Sequence, residues 1–145
     1  QSLGVVETQS TTAGAANELS LYVNEGLWRQ CKLRRYTLRL DGFVSASAPL
    51  SGGEVITRPI TMRGRQLALN FVTSVAGSIR IEIQTPDGEP IEGHSLADCQ
   101  EMFGNATERV VQWKRGSDVS PLTGRPLRLR IVLKDADLYA FQFTP

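Results

Sequence analysis

The chain has 145 residues, enough for one domain with a sizeable core, and 41% of them are hydrophobic. Its formal net charge is +1, so overall charge provides no attraction to nucleic acid or an anionic membrane. No apolar run approaches the roughly 20 residues that a membrane-spanning helix needs, and no intact signal peptide is evident. We therefore expect neither nucleic acid nor membrane as a partner. Because the chain begins at Gln1 without Met, we expect it to be a piece of a larger protein.

The first 30 residues are predicted to be a flexible lead-in and a linker strand. Residues 1–17 are rich in Ser, Thr, Gly, Ala and Gln and show no sustained hydrophobic period. Residues 18–23 alternate between apolar and polar side chains, which indicates a short strand. The basic, irregular stretch that follows carries Trp28, an aromatic residue suited to docking on a neighbouring surface.

The remainder, residues 31–145, is predicted to be a β-sandwich domain. Apolar residues recur at every second position in several short stretches separated by turn residues: 35–41, 54–58, 67–71, 78–84, 108–114, 127–134 and 139–143. The last two stretches flank Asp135-Ala136-Asp137, which predicts a closing hairpin. About eight strands and no long helix indicate an all-β, antiparallel two-sheet sandwich that is jelly-roll-like.

Residues 90–107 interrupt this rhythm and are predicted to form an excursion without a strand. Ser95 is suited to cap a short helical turn over residues 96–101. Within this excursion lies Cys99, and the second cysteine, Cys31, is far away in the sequence. Two cysteines at this spacing fit no metal or redox motif. Two free thiols and one disulfide both remain open.

Several runs resemble a known family. They are RRYTLRLDGFVS (34–45), GGEVITRPI (52–60), QLALNFVTSVAGSIRIEIQTPDGEPIEG (66–93), LADCQEMFG (96–104) and ERVVQWKRGSDVSPLTGRPLRLRIVLKDADLYAFQF (108–143). In this order they resemble the C-terminal accessory β-sandwich of bacterial, planctomycete-type glycoside hydrolase family 32-like proteins. The stretch ELSLYVNEGLWR (18–29) is similar to the segment that links the catalytic propeller to that sandwich. The resemblance implies an ancillary domain, because the family's catalytic carboxylates lie on the propeller.

Two sets of side chains are candidates for binding a ligand. Trp28 and Trp113 could stack on sugar rings, since aromatic faces suit the C–H surfaces of pyranoses; the alternative for Trp113 is a place in the core. The second set shares the polar phase of its strands and would form a cationic stripe if those strands are neighbours: Arg39, Arg80, Arg128, Arg130 and Lys134, with Glu82 among them. The alternative for this stripe is a solvated sheet face with cross-strand ion pairs.

Catalytic and metal chemistry find little support. The single histidine, His94, lies in one loop with Ser95, Asp98 and Cys99, without a nucleophile elbow. One histidine and two distant cysteines rarely hold zinc. A structural calcium ion remains an alternative, because loop carboxylates such as Asp87 suit it, although no EF-hand loop is present.

We therefore expect a non-catalytic, carbohydrate-binding-like β-sandwich module of a bacterial carbohydrate-active enzyme. Its predicted partners are a polysaccharide or oligosaccharide and the upstream glycoside hydrolase propeller, and its expected location is extracellular or periplasmic. No cofactor is expected apart from the calcium alternative. The second hypothesis is a structural interdomain or protein-interaction module that binds no glycan.

Overall fold

The computed structural model describes residues 2–26 and 31–145 and shows an all-β protein. Nine strands and one 3-10 turn at Ser120–Leu122 are present in the described residues. The strands form a three-stranded and a six-stranded antiparallel sheet, so the predicted fold class is confirmed, with nine strands in place of about eight. The chain divides into two compact units, Gln1–Val44 and Ser45–Pro145. No helix in the described part of the chain is long and apolar enough to cross a membrane.

The first unit is a three-stranded meander of β1 (Ser2–Thr8), β2 (Glu18–Glu25) and β3 (Lys32–Arg39). The sequence prediction assigned residues 1–17 to a flexible lead-in and began the domain at residue 31, whereas β1 and β3 both pair with β2 here. Trp28 lies outside the described residues.

One face of this meander is largely polar, and the other carries an apolar cluster together with charged residues such as Glu7 and Arg34. Arg35 donates hydrogen bonds to three side chains on the polar face: Ser20 Oγ at 2.7 Å, Thr8 Oγ1 at 2.8 Å and Glu18 Oε1 at 2.7 Å. These contacts bury Ser20 completely. Because side chains alternate along a strand, the apolar positions of β2 share the opposite face with their partners on β1 and β3.

The second unit is organised around two long strands. Its strands are β4 (Ala46–Ala48), β5 (Gly53–Ile56), β6 (Ile60–Thr61), β7 (Gln66–Gln84), β8 (Asn105–Val110) and β9 (Pro126–Thr144). β9 pairs with β7 along one side and with the short strands β4, β5 and β6 along the other. β8 pairs with the first half of β7.

The predicted closing hairpin is not formed. β9 continues through Asp135, which has a φ of 42°, and residues on both sides of it pair with β7. Opposite this kink, β7 carries extra residues, because Thr73 pairs with Ala136 while Ser78 pairs with Lys134. The break between the predicted strands 67–71 and 78–84 is therefore a bulge within one strand, and both long strands bend together at this point.

These irregularities preserve a single apolar face. Leu127, Leu129, Ile131 and Leu133 are buried before the kink, and Ala136 and Leu138 are buried after it. One extra residue at the kink shifts the alternation by one position, so both halves of β9 still face the core. Much of the core's cover comes from the stretch between β7 and β9, which contributes Cys99, Met102, Val111, Trp113, Val119 and Leu122.

Candidate functional site

A cleft lies beside the outer edge of β7. In its second half, β7 is bordered by an irregular segment, residues 90–104. Ile79 exchanges two backbone hydrogen bonds with Met102, at 2.8 and 3.0 Å, and Ile83 donates one to the carbonyl of His94 at 2.9 Å. The segment thus takes the place of an edge strand, although only isolated bridges mark it as one.

The bend in β7 opens a cleft next to this segment. Met102 pairs with Ile79 in the second half of β7. β8 pairs with the first half of β7, for example Ala68 with Val110. The chain passes from one to the other at Gly104, whose φ is 100°. Because the two halves diverge, the flanking segments separate and leave a cleft of about 370 Å³.

The cleft combines an exposed ring with polar side chains. Its lining consists of Gln100, Glu101, Met102, Phe103, Arg109, Val110 and Gln112. Phe103 is 67% exposed, and Met102 is buried. The hydrogen bond from the backbone N–H of Gln100 to the carbonyl of Gln112, at 2.8 Å, joins the two arms at one end.

The four polar side chains of the cleft are available for a ligand. Gln100, Glu101, Arg109 and Gln112 are all exposed. Within the described residues, none of these side chains takes part in a hydrogen bond or an ion pair. Together they offer two amides, a carboxylate and a guanidinium group, which can both donate and accept hydrogen bonds. An aromatic ring surrounded by such groups suits a hydroxyl-rich ring with an apolar face.

The two tryptophans predicted to bind a ligand do not line this cleft. Trp28 lies outside the described residues. Trp113 is only 2% exposed, and its indole nitrogen donates a hydrogen bond to the carbonyl of Ile81 at 3.1 Å. The prediction that Trp113 stacks on a ligand is therefore corrected: its ring is part of the core. His94 packs edge-on against that ring, with 5.0 Å between the ring centroids.

Part of the predicted cationic stripe is present on the outer face of β5, β7 and β9. Glu82 on β7 is opposite Arg130 on β9, and Gln84 is opposite Arg128. Arg39 belongs to the first unit, on β3 of the three-stranded sheet.

One cation of the stripe, Arg130, is neutralised by its own neighbours. Glu82 is 5% exposed and accepts hydrogen bonds from Gln84 at 2.8 Å and from the backbone N–H of Leu96 at 3.0 Å. Arg130 lies 3.7 Å from Glu82 and donates to Glu54 at 2.9 Å. The hydrogen bond from Arg130 to Glu54 raises the pKa of the guanidinium. Glu82 therefore holds the fold together and is buried away from ligands.

Two other cations on this face have no such partner. Arg80 and Lys134 are exposed, and neither forms an ion pair or a side-chain hydrogen bond within the described residues. Arg128, by contrast, donates to the backbone carbonyls of Thr57 at 3.3 Å and Pro86 at 3.4 Å.

The loop around His94 is held by structural contacts. Ser95 donates a hydrogen bond to Asp98 at 2.7 Å, and Lys114 lies 3.1 Å from the same carboxylate. These contacts lower the pKa of Asp98, the Ser95 hydrogen bond most. The predicted helical turn is a hydrogen-bonded turn that Ser95 closes. Among residues 2–26 and 31–145, no group of three or more His, Cys, Asp or Glu residues is placed to hold a metal ion.

The cleft was not predicted from the sequence. Its residues lie in the predicted excursion, residues 90–107, and in the predicted strand of residues 108–114. One signal was available: Phe103 is a large apolar residue in a polar, irregular segment, immediately before a glycine. Such a residue has no place in a period-two pattern and is a candidate for an exposed contact.

Comparisons with known proteins identify no relative of this chain. No family model, curated protein or solved structure matches the chain. The resemblance to an accessory sandwich of glycoside hydrolase family 32-like proteins therefore stays a prediction.

Proposed function

We propose that the second unit is a non-catalytic module that binds glycan through the cleft beside β7, as an accessory part of an extracellular or periplasmic carbohydrate-active enzyme. The observation that carries the proposal is the exposed ring of Phe103 amid four polar side chains that have no side-chain partner in the described part of the chain. A sugar ring would lie against Phe103, while Gln100 and Gln112 would bond its hydroxyls. Such a site needs no catalytic group to be useful, because it holds the substrate near an enzyme.

Titration of the whole chain against a panel of soluble oligosaccharides tests this proposal by calorimetry. Wild-type protein should bind at least one glycan, and Phe103→Ala should weaken that binding by about tenfold or more, since burying a Phe side chain contributes roughly 1.5–3 kcal/mol. Gln112→Ala should weaken it less. Leu50→Ala is the matched control, because Leu50 is also an exposed apolar residue, at 56%, and lies outside the cleft. Absence of binding across the panel, or equal effects of Phe103→Ala and Leu50→Ala, would contradict the proposal.

A second candidate function is docking to another protein domain, such as a glycoside hydrolase propeller. It is favoured by an apolar cluster on one face of the first unit, where Val5, Leu21 and Tyr36 share one register row and Leu38 lies in the next. Val5 is 50% and Tyr36 is 45% exposed. A sheet face of this kind is typical of a surface that another layer covers.

The docking function has its own test. A separately produced propeller domain should bind the wild-type chain, and Tyr36→Ser combined with Leu38→Ser should abolish that binding. Thr37→Ser, on the opposite face of the same strand, is the control. Equal binding by the double variant and the control would count against docking through this face.

A further inference from the structure

Strand register places Arg80 and Lys134, which have no ion pair within the described residues, near the wall of the cleft that residues 101–103 form. Ile79 and Met102 form a hydrogen-bonded antiparallel pair, and both side chains are buried. Because side chains alternate, the residues that flank Ile79 and Met102 in the sequence point away from the core. On the covering segment, which is the irregular segment of residues 90–104, these residues are Glu101 and Phe103. On β7 they are Ser78 and Arg80. The exposure of Arg80, Glu101 and Phe103 agrees with this arrangement.

The pairing of β7 with β9 extends these rows by one strand. Ser78 pairs with Lys134 and Arg80 pairs with Val132. One row therefore runs Lys134, Ser78, Phe103, and the adjacent row has Arg80 next to Glu101. Strands are spaced about 4.8 Å apart, so Lys134 lies roughly 10 Å from Phe103 along the row, and Arg80 lies between them in the neighbouring row.

Among the described residues, cations without an ion pair outnumber such carboxylates on this surface, because Glu54 and Glu82 both contact Arg130. Arg80 and Lys134 join Arg109 of the cleft, and Glu101 is the carboxylate that faces them from the covering segment. Glu82, on the same face of β7, already accepts hydrogen bonds from Gln84 and Leu96 and lies against Arg130. The charge of Arg80 and Lys134 is therefore open to a ligand.

We infer that the glycan of this site is acidic: one sugar ring stacks on Phe103, and a carboxylate or sulfate group on the same or the next sugar is bound by Arg80 and Lys134. The inference rests on the proposed function and adds the ligand class. Arginine and lysine donate charge-assisted hydrogen bonds to both anions, so the two groups share one chemistry at this surface. Neutral glycans would contact the cleft alone.

Matched pairs of oligosaccharides separate the ligand class from binding itself. The whole chain is titrated with oligogalacturonate and its carboxyl-reduced form, and with a sulfated galactan oligosaccharide and its desulfated form. The acidic member of at least one pair should bind about tenfold or more tightly, which corresponds to one or two charge-assisted hydrogen bonds. Which pair shows the preference identifies carboxylate or sulfate as the anion. Raising the ionic strength should reduce the preference, because exposed charges are screened.

Charge-matched variants test the two cations. Arg80→Gln combined with Lys134→Gln should remove the preference while leaving the affinity for the neutral member within about twofold. Arg63→Gln combined with Arg125→Gln removes the same charge from exposed positions outside the site, and should preserve most of the preference. An equal loss in both double variants would show a general charge effect and overturn the inference. Equal binding of acidic and neutral members by wild type would overturn it while leaving the glycan-binding proposal intact; no binding at all would overturn both.

Discussion

Trp113 donates its indole N–H to the backbone carbonyl of Ile81 across 3.1 Å. On the same residue, the backbone N–H of Ile81 donates to Cys99 Sγ across 3.2 Å. Both backbone groups of Ile81 on the outer edge of β7 are thus satisfied by side chains, where a regular sheet would use a neighbouring strand. Because side chains satisfy these two backbone groups, the covering segment does not have to pair as a regular strand between Ile83 and Ile79. It therefore continues to Phe103 in an irregular conformation.

Replacement of Trp113 by phenylalanine should destabilise the protein. The smaller ring keeps most of the apolar contact but leaves the buried carbonyl of Ile81 without its donor, which costs about 1–3 kcal/mol. Urea denaturation followed by circular dichroism measures the free energy of unfolding. Phe103→Leu is the control, since a change at an exposed position should cost less than about 0.5 kcal/mol. A loss for Trp113→Phe no larger than the control would show that the hydrogen bond does not matter for stability.

The two cysteines should differ strongly in reactivity. Both are free; Cys31 is exposed and Cys99 is buried. Burial raises the pKa of the Cys99 thiol, which lowers its thiolate fraction, and access to it requires local opening. Iodoacetamide followed by mass spectrometry should label Cys31 at least about a hundredfold faster than Cys99. In Cys31→Ser, native protein should show almost no rapid labelling; rapid labelling there would place Cys99 at an accessible surface.

Gly77 is required by the bend of the two long strands. A Cβ at this position would clash with the carbonyl oxygen of Asp135 and lie 2.7 Å from that of Lys134. Since both atoms belong to the backbone of β9, Gly77→Ala should cost about 1–3 kcal/mol of unfolding free energy. Gly53→Ala is a milder comparison, because the added Cβ would meet the Ala48 Cβ at 3.2 Å. Thermal melts of both variants measure the difference, and equal melting temperatures would contradict the close approach at Gly77.

Asp98 should contribute to stability in a pH-dependent way. The hydrogen bond from Ser95 and the contact with Lys114 hold the pKa of Asp98 below its ordinary value of 3.8. A carboxyl whose pKa is lower in the folded state stabilises the fold above its unfolded pKa and loses that contribution as pH falls through the folded pKa. In Asp98→Asn, the decline in stability below about pH 4 should therefore be shallower than in wild type.

Denaturation curves between neutral pH and the acid limit of folding test the Asp98 prediction. Asp87→Asn serves as the control, since Asp87 is an exposed turn residue. Its pH profile should follow that of wild type. Parallel profiles for wild type and Asp98→Asn would mean that the contacts to Ser95 and Lys114 do not persist in solution.

Alternation of side chains was sufficient to predict the fold class and much of the core. Ile79, Ile81 and Ile83 were predicted to face inward and are completely buried, as are Leu129 and Ile131. The predicted hairpin is wrong because the sequence Asp135-Ala136-Asp137 is compatible either with a turn or with a kink inside one strand. The choice depends on the partner strand, whose bulge lies about 60 residues earlier in the chain.

What the sequence determined by itself is therefore local: which stretches extend, which side chains turn inward, and that the sheets are antiparallel. Tertiary structure decided where the long strands bend, where the cleft lies and which charged side chains form ion pairs. The local sequence around Phe103 and around Arg80 does not predict that these residues share a face. That relation arises from the pairing of Ile79 with Met102. Likewise, Arg130 and Arg80 occupy equivalent polar positions in alternating strands, and only the placement of Glu54 and Glu82 neutralises one and leaves the other open.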